Sequence, residues 1–228
     1  MQKNRFVITM IYDENIKKIS KKFFGYEQEI TCTAILTPIN RIYYRAKEMI
    51  DGREYNGWWK SKYGKIDNKE CFISKIPEGI RIIDPVLSLK NTKFILFAGF
   101  CGGVSDYLKI GDVVSPVSIN KDEDIQLTSG PINGCIVGRG VHCDAFLLEN
   151  DEFLKSNKNF SFVDAESYYF HRTCNEIKIG AKSIMVVTDI PNKINFFDVD
   201  EKYDKLIETG IEKLLRCLYD EISRNEYI

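Results

Sequence analysis

The chain has 228 residues, 44% of them apolar and 29% charged, with 32 Lys and Arg against 33 Asp and Glu for a formal net charge of -1. That composition excludes global disorder, and a chain of this length buries enough surface to hold a core without covalent staples. The balance also lacks the basic excess of a dedicated nucleic-acid binder, so no nucleic-acid partner is expected.

Along the chain, Phe6–Tyr12 (FVITMIY) is a continuous apolar run and predicts a buried strand, too short to be more than a marginal signal-peptide core. Lys17, Lys18, Lys21 and Lys22 have the spacing of one solvated helix face. Ile30–Leu36 and Cys71–Ile76 alternate and predict half-buried strands. The polar stretch from Asp51 to Asn68 predicts a long surface excursion, with Trp58 and Trp59 covering a hydrophobic surface or a subunit contact. Phe94–Ala98 predicts a short buried strand that stops at Gly99, and Val113–Ile119 a strand in which Pro116 marks an edge or a bulge. Glu166–Ile177 carries a helical pattern running into Gly180 as terminator, and Ser183–Val187 predicts a buried strand ending at Thr188 and Asp189. A last amphipathic helix runs through Tyr203, Leu206, Ile207, Gly210, Ile211, Leu214, Leu215, Leu218, Tyr219 and Ile222, suited to cover one face of a sheet. Strands alternating with helices, without repeat or linker, predict one α/β domain over residues 1–228 with a mixed sheet.

The seven cysteines form no Cys-x-x-Cys pair, and the histidines are only His142 and His171. No zinc spacing results, so neither a metal nor a cofactor is expected, and most cysteines read as small buried residues in a reducing compartment. No apolar stretch reaches 18 residues, so no membrane partner is expected and the reading is a soluble, cytoplasmic protein.

Three segments carry chemistry. In Phe97–Asp112 (FAGFCGGVSDYLKIGD), Gly99, Gly102 and Gly103 follow a buried strand, where glycines let backbone N–H groups approach a ligand. The spacing is neither Gly-x-Gly-x-x-Gly nor a Walker loop, and a plain tight turn is the alternative. Asp144–Asp164 opens with DAFLLE and closes with FVD ahead of Glu166, an acid at a helix start that the helix dipole would stabilise in any case. Thr188–Asp189–Ile190–Pro191 puts an acid at the end of a buried strand, where open α/β sheets place ligands, or where it caps the next helix. His142 with Cys143 and Cys101 lacks a third orienting group for a Cys–His nucleophile.

Taken in order, FAGFCGGVSDYLKIGDVV, DAFLLE, VDAES and VVTDIP resemble segments of the nucleoside phosphorylase and nucleosidase superfamily. That superfamily includes purine nucleoside phosphorylase, uridine phosphorylase and methylthioadenosine/S-adenosylhomocysteine nucleosidase. The agreement spans residues 90 to 215, while 37 to 90 match poorly. The resemblance implies a three-layer αβα sandwich around a central mixed β-sheet, a nucleoside as small-molecule substrate, and a homo-oligomer. It implies Glu166 on the ribose hydroxyls and Asp189 as general acid at purine N7. It further implies Phe146 stacked on the base, the Leu147 backbone on the base edge, Ala98 and Gly99 beside the base, and Phe196 or Phe197 over the 5′ side of the sugar.

The departures are informative. Where phosphorylases of the superfamily place an Arg and a Ser or Thr for phosphate, this chain has Phe97 and Phe100. Aromatics do not bind a phosphate dianion, so water is favoured over phosphate as co-substrate. The nucleosidases' water-activating glutamate falls at Asp13 or Glu14, and Glu14 is favoured. Ala165 stands where the superfamily usually has Met, leaving room beneath the sugar, and Pro77–Glu78–Gly79 replaces a Gly-x-Gly turn. The implied activity is hydrolysis of the N-glycosidic bond of an adenine-type or 5′-modified nucleoside. The alternatives are phosphorolysis and a non-catalytic nucleoside-binding module on the same fold.

Overall fold

A strand buried on both faces sends alternate side chains into two separate cores, and therefore reads as an unbroken apolar run. The central strands here are of that kind. The structure is a computed structural model that describes residues 16–127, 129–145, 148–191, 193–194 and 200–224. The strand expected at Phe6–Tyr12 lies outside the described residues.

The strands are β1 (Thr33–Thr37), β2 (Asp51–Asn56), β3 (Lys60–Ile66), β4 (Lys69–Lys75), β5 (Phe94–Gly103), β6 (Val113–Asn120), β7 (Asp124–Gln126), β8 (Ile136–His142), β9 (Phe162–Asp164) and β10 (Gly180–Asp189). The helices are α1 (Ile16–Phe24), α2 (Asn40–Ala46), α3 (Ile83–Ser88), α4 (Asp151–Ser156), α5 (Ser167–Ile177) and α6 (Glu201–Arg224). The strands form one mixed sheet in the order β10-β6-β8-β9-β5-β1-β4-β3-β2, with β7 beside β6 and a further pairing of β10 with β5. That last pairing closes β5, β10, β6, β8 and β9 into a ring. β1 is parallel to both β4 and β5, β5 is parallel to β10, and β9 runs antiparallel to β5.

Two cores flank the sheet and make three layers. Leu36, Ile95, Phe97, Met185 and Val187 point toward α1, α3 and α5, where Phe24, Val86 and Phe170 meet them. Ile35, Leu96, Ala98, Ile184 and Val186 point the other way, toward Ile42 and Tyr43 of α2 and Ile207, Ile211, Leu214 and Leu218 of α6. The amphipathic C-terminal helix therefore covers the sheet as its spacing predicts, although Leu206 and Tyr219 of the apolar list remain exposed. The four lysines of α1 are all exposed, as a solvated face requires. Pro116 sits at a register shift between β6 and β8, the expected bulge. Six of the seven cysteines are buried and all are free, and no described helix is long and apolar enough to cross a membrane.

Several expectations are corrected. Residues 51–68 are not a surface excursion: β2 and β3 form a hairpin that extends the sheet from β4. The hairpin tip is tied to α1 by Trp58 and Trp59 N–H groups donating to the Lys22 and Phe23 carbonyls at 2.9 and 2.8 Å. Trp59 packs on Phe23 and Phe24, while Trp58 is 69% exposed. β1 is buried throughout rather than alternating, because helices cover both its faces. β5 does not stop at Gly99 but runs on to Gly103. Helix α5 ends at Lys178, which takes the left-handed conformation (φ 60°, ψ 39°), and Gly180 instead begins β10.

The extension of β5 positions the site. Its first half pairs with β1 as far as Phe97, and its end pairs with β9 at Gly102 and Gly103. Where β5 changes neighbour the sheet opens, at the C-terminal ends of β1, β8, β9 and β10. Open α/β folds place ligands at such switch points.

Candidate active site

A cavity of about 610 Å³ occupies this opening. Pro38 and Ile39 follow β1, and Phe100, Cys101 and Gly102 come from β5. Cys143, Asp144 and Ala145 follow β8; Val163, Asp164, Ala165 and Glu166 close β9; and Thr188 ends β10. Glu78, Gly79 and Glu149 complete the described wall. Its charged residues are Glu78, Asp144, Glu149, Asp164 and Glu166, all acids, with no Lys or Arg among the described lining residues.

Glu166 sits at the N-cap of α5 without capping the helix itself. Asp164 does that work: its carboxylate accepts from the Glu166 N–H at 3.1 Å, the Ser167 N–H at 2.7 Å and the Ser167 hydroxyl. Glu166 is thereby free to turn into the cavity, where it accepts one hydrogen bond, 2.8 Å from the Gly79 N–H. Burial and the Asp164 charge push its pKa up to about 7. Gly79 holds a φ of +63°, a conformation that suits glycine.

Asp189 is 3% exposed and stands next to the wall rather than on it. A register shift between Val187 and Asp189 re-aims the end of β10 and pairs Asp189 with Gly102. The Thr188 hydroxyl donates to Asp189 Oδ1 at 2.9 Å, leaving Oδ2 on the Gly102 side. Burial raises the Asp189 pKa, and the Thr188 hydroxyl lowers it by a smaller amount.

The other predicted positions are distributed as follows. Phe100, Ala165 and Glu166 are on the wall. Ala98 and Gly99 lie farther back along β5, with Ala98 fully buried beneath α6. Of the two aromatics read at the phosphate position, only Phe100 faces the cavity, whereas Phe97 is buried against Phe170 at 5.4 Å. Glu14 and Asp13, Phe146 and Leu147, and Phe196 and Phe197 lie outside the described residues. Cys101 and Cys143 line the cavity, but burial pushes both thiols up, away from the nucleophilic thiolate. His142 is bonded to Asp144 instead, at 2.8 Å.

Sequence reasoning missed four of the five wall carboxylates, Glu78, Asp144, Glu149 and Asp164. Asp144 accepts from His142, from Lys121 at 3.0 and 3.1 Å and from the Tyr169 hydroxyl at 3.1 Å, which holds it ionised with a pKa of about 2. Glu149 closes the DAFLLE segment, and burial together with the charges of Asp189 and Asp164 pushes it up to about 8. The sequence does mark Asn150 after it, which caps α4 by accepting from the Glu152 and Phe153 N–H groups. Nothing in the sequence separates Glu149 from a solvated loop acid.

No family model and no curated protein matches the sequence. Solved structures do match. A Helicobacter pylori 5′-methylthioadenosine/S-adenosylhomocysteine nucleosidase with butyl-thio-DADMe-Immucillin-A superposes with a TM-score of 0.70 at 20% identity, over 85% of this chain and 100% of that one. The chain has the nucleosidase fold. A futalosine hydrolase mutant of Helicobacter pylori gives 0.70 at 18% identity, over 84% and 100% of the two chains. The Colwellia psychrerythraea methylthioadenosine/S-adenosylhomocysteine nucleosidase in complex with adenine gives 0.66 at 15%, over 86% and 96%. These nucleosidase-fold proteins are spanned almost end to end, so the β2–β3 hairpin and the switch point at β5 belong to a chain of their overall architecture.

Proposed function

We propose that the protein is a nucleosidase that hydrolyses the N-glycosidic bond of a purine nucleoside, of adenine type or carrying a modified 5′ group. The observation that carries this reading is the make-up of the cavity wall: five acids and no Lys or Arg among the described lining residues. Such a wall offers phosphate no cationic partner and favours water as the acceptor. It also suits a reaction whose sugar becomes positively charged, since nearby carboxylates stabilise oxocarbenium character.

In this mechanism Asp189, whose pKa burial raises, donates its proton to N7 of the base as the C1′–N9 bond breaks and its electron pair leaves with the base. Glu166 accepts hydrogen bonds from the ribose 2′- and 3′-hydroxyls and fixes the sugar. Water adds to C1′ and gives its proton to Glu14, the role the resemblance assigns to that position. The products are the free base and the sugar with a C1′ hydroxyl. With it go one domain over residues 1–228 and a cytoplasmic location, as the sequence composition suggests, and a homo-oligomer, as the resemblance implies.

The test is base release from adenosine, inosine and methylthioadenosine, each with and without inorganic phosphate. Turnover in phosphate-free buffer is expected, and strict dependence on phosphate would reject the hydrolase. Asp189→Asn is expected to lower kcat by roughly 10²–10⁴-fold, the usual contribution of a positioned acid. Undiminished activity in that variant removes Asp189 from the chemistry.

A further inference from the structure

We propose that Lys121 is a positioning residue of this cavity: it fixes the Asp144 carboxylate, and through it the wall formed by Cys143, Asp144 and Ala145. The inference rests on the nucleosidase reading and deepens it.

Convergence comes first. Lys121 stands in the turn between β6 and β7, His142 ends β8 and Tyr169 lies in α5. The three meet on one carboxylate. Asp144 Oδ1 accepts from His142 Nε2 at 2.8 Å, from Lys121 Nζ at 3.0 Å and from the Tyr169 hydroxyl at 3.1 Å. Oδ2 accepts from Lys121 Nζ at 3.1 Å and has no other partner among the described residues. Lys121 also donates to the Tyr169 oxygen at 2.6 Å, so its ammonium group has an acceptor for each of its donors. Without Lys121 the two remaining donors hold Oδ1 alone, and the carboxylate is free to pivot about it.

The wall comes second. Cys143, Asp144 and Ala145 line the cavity directly after β8. The Cys143 N–H still donates to the Asp164 carbonyl of β9, at 3.0 Å. Beyond it the chain leaves the sheet, and the Asp144 side chain is where the wall is tied to the rest of the fold. The tie reaches the opposite side of the cavity, because α5 carries Glu166 at its N-cap and Tyr169 in its first turn. Asp144, ionised, only accepts, so His142 Nε2 carries the proton and Nδ1 is a bare acceptor. Nδ1 is buried without a partner among the described residues, a cost that the bond to Asp144 outweighs.

Exposure comes third, and it separates positioning from folding. The buried His142 ring packs edge-on to Tyr169 at 4.8 Å, so its loss would disturb the core. The Lys121 and Asp144 side chains are 23% and 58% exposed, and ion pairs so placed add little to global stability. Lys121 is not on the cavity wall. It therefore acts on where the wall stands, equally for bound substrate and transition state, and such uniform binding appears in KM rather than kcat.

The experiment measures base release from adenosine, inosine and methylthioadenosine, and adenosine binding by titration calorimetry, on the full chain. Lys121→Met is expected to raise KM about tenfold with kcat and melting temperature little changed, the scale of fixing about one residue's backbone again on binding. Lys121→Arg, whose planar fork spans both oxygens of a carboxylate, should restore most of the affinity. In an Asp144→Asn background Lys121→Met should add almost nothing, since the two side chains act as one unit. The proposal is overturned by an unchanged KM in Lys121→Met, by a fall in kcat at constant KM, or by effects of the two substitutions that add. It is also overturned by a loss of affinity that tracks a lower melting temperature and is not rescued by arginine. Lys121-dependent adenosine binding without any turnover would instead sink the hydrolase and leave this inference standing, and neither binding nor turnover in the wild type would reject both.

Discussion

Gly102 and Asp189 are register partners across β5 and β10, and Asp189 Oδ2 lies 3.3 Å from where a Cβ on Gly102 would stand. The same Cβ would sit 3.1 Å from Val163 Cγ1 and 3.1 Å from Pro191 Cγ. Glycine here is therefore a matter of close approach between a strand and the carboxyl beside it. Gly102→Ala should fold, since each neighbour needs to yield only a few tenths of an ångström, but Asp189 will be displaced. We expect kcat for base release to fall roughly ten- to a hundredfold with little change in melting temperature, the penalty of misplacing a reacting group. Gly103→Ala is the control: its Cβ would meet the flexible tip of Ile190, Cδ1, at 2.7 Å, and that tip can swing away. Equal kcat in Gly102→Ala and wild type would show that Asp189 does not need this clearance.

Legibility followed burial. The Ile184–Val187 stretch of β10 and the Phe94–Ala98 half of β5 are unbroken apolar runs with helices on both faces, and α6 repeats its apolar residues at helical spacing, so the pattern alone marks them. The hairpin was hidden because DGREYN and KSKYGKI carry almost no apolar signal. Those segments are strands because β4 offers them an edge to pair with, which no local pattern records. The continuation of β5 was hidden for the opposite reason. Glycines ordinarily end a strand, yet Gly102 and Gly103 are kept in one by pairing with Val163 and Phe162. At the site, Asp189 and Glu166 were legible through their places in motif segments. Glu149 was not, because its character comes from facing Asp189 and Asp164, residues distant in sequence.

The end of α5 tests one of the corrections. The Ile179 N–H closes the helix by donating to the Cys174 carbonyl at 3.0 Å, which requires Lys178 in the left-handed conformation. A β-carbon is strained there, and glycine is not. Lys178→Gly should stabilise the protein by about 0.5–1 kcal/mol after glycine's greater unfolded-state entropy is deducted. For a chain of this size that corresponds to a rise of about 1–4 °C in melting temperature. Lys178→Ala should give no such rise, because it keeps the β-carbon. A gain in the alanine variant equal to that in the glycine variant would assign the effect to lost charge instead.

The wall carboxylates also set how stability varies with pH. Glu166 and Glu149 are raised in the folded state to about 7 and about 8, from an ordinary 4.5. Between 4.5 and those values the folded protein holds protons that the unfolded chain has released, so stability falls as pH rises through the window. His171 works in the other direction. Buried beside Ser183 at 2.8 Å, it is lowered to about 3 from an ordinary 6.5, and the unfolded chain binds the extra proton between those values. Its contribution therefore grows as pH rises to 6.5 and offsets part of the carboxylate effect there. From 6.5 to 8 the two glutamates act unopposed by His171, and Asp144, lowered to about 2, titrates far below that range. The midpoint of urea unfolding should accordingly drop between pH 6.5 and pH 8, and the double variant Glu149→Gln, Glu166→Gln should remove most of the drop. A midpoint that is flat or rising across this interval in the wild type would mean that these carboxyls are already ionised at neutral pH in the folded protein.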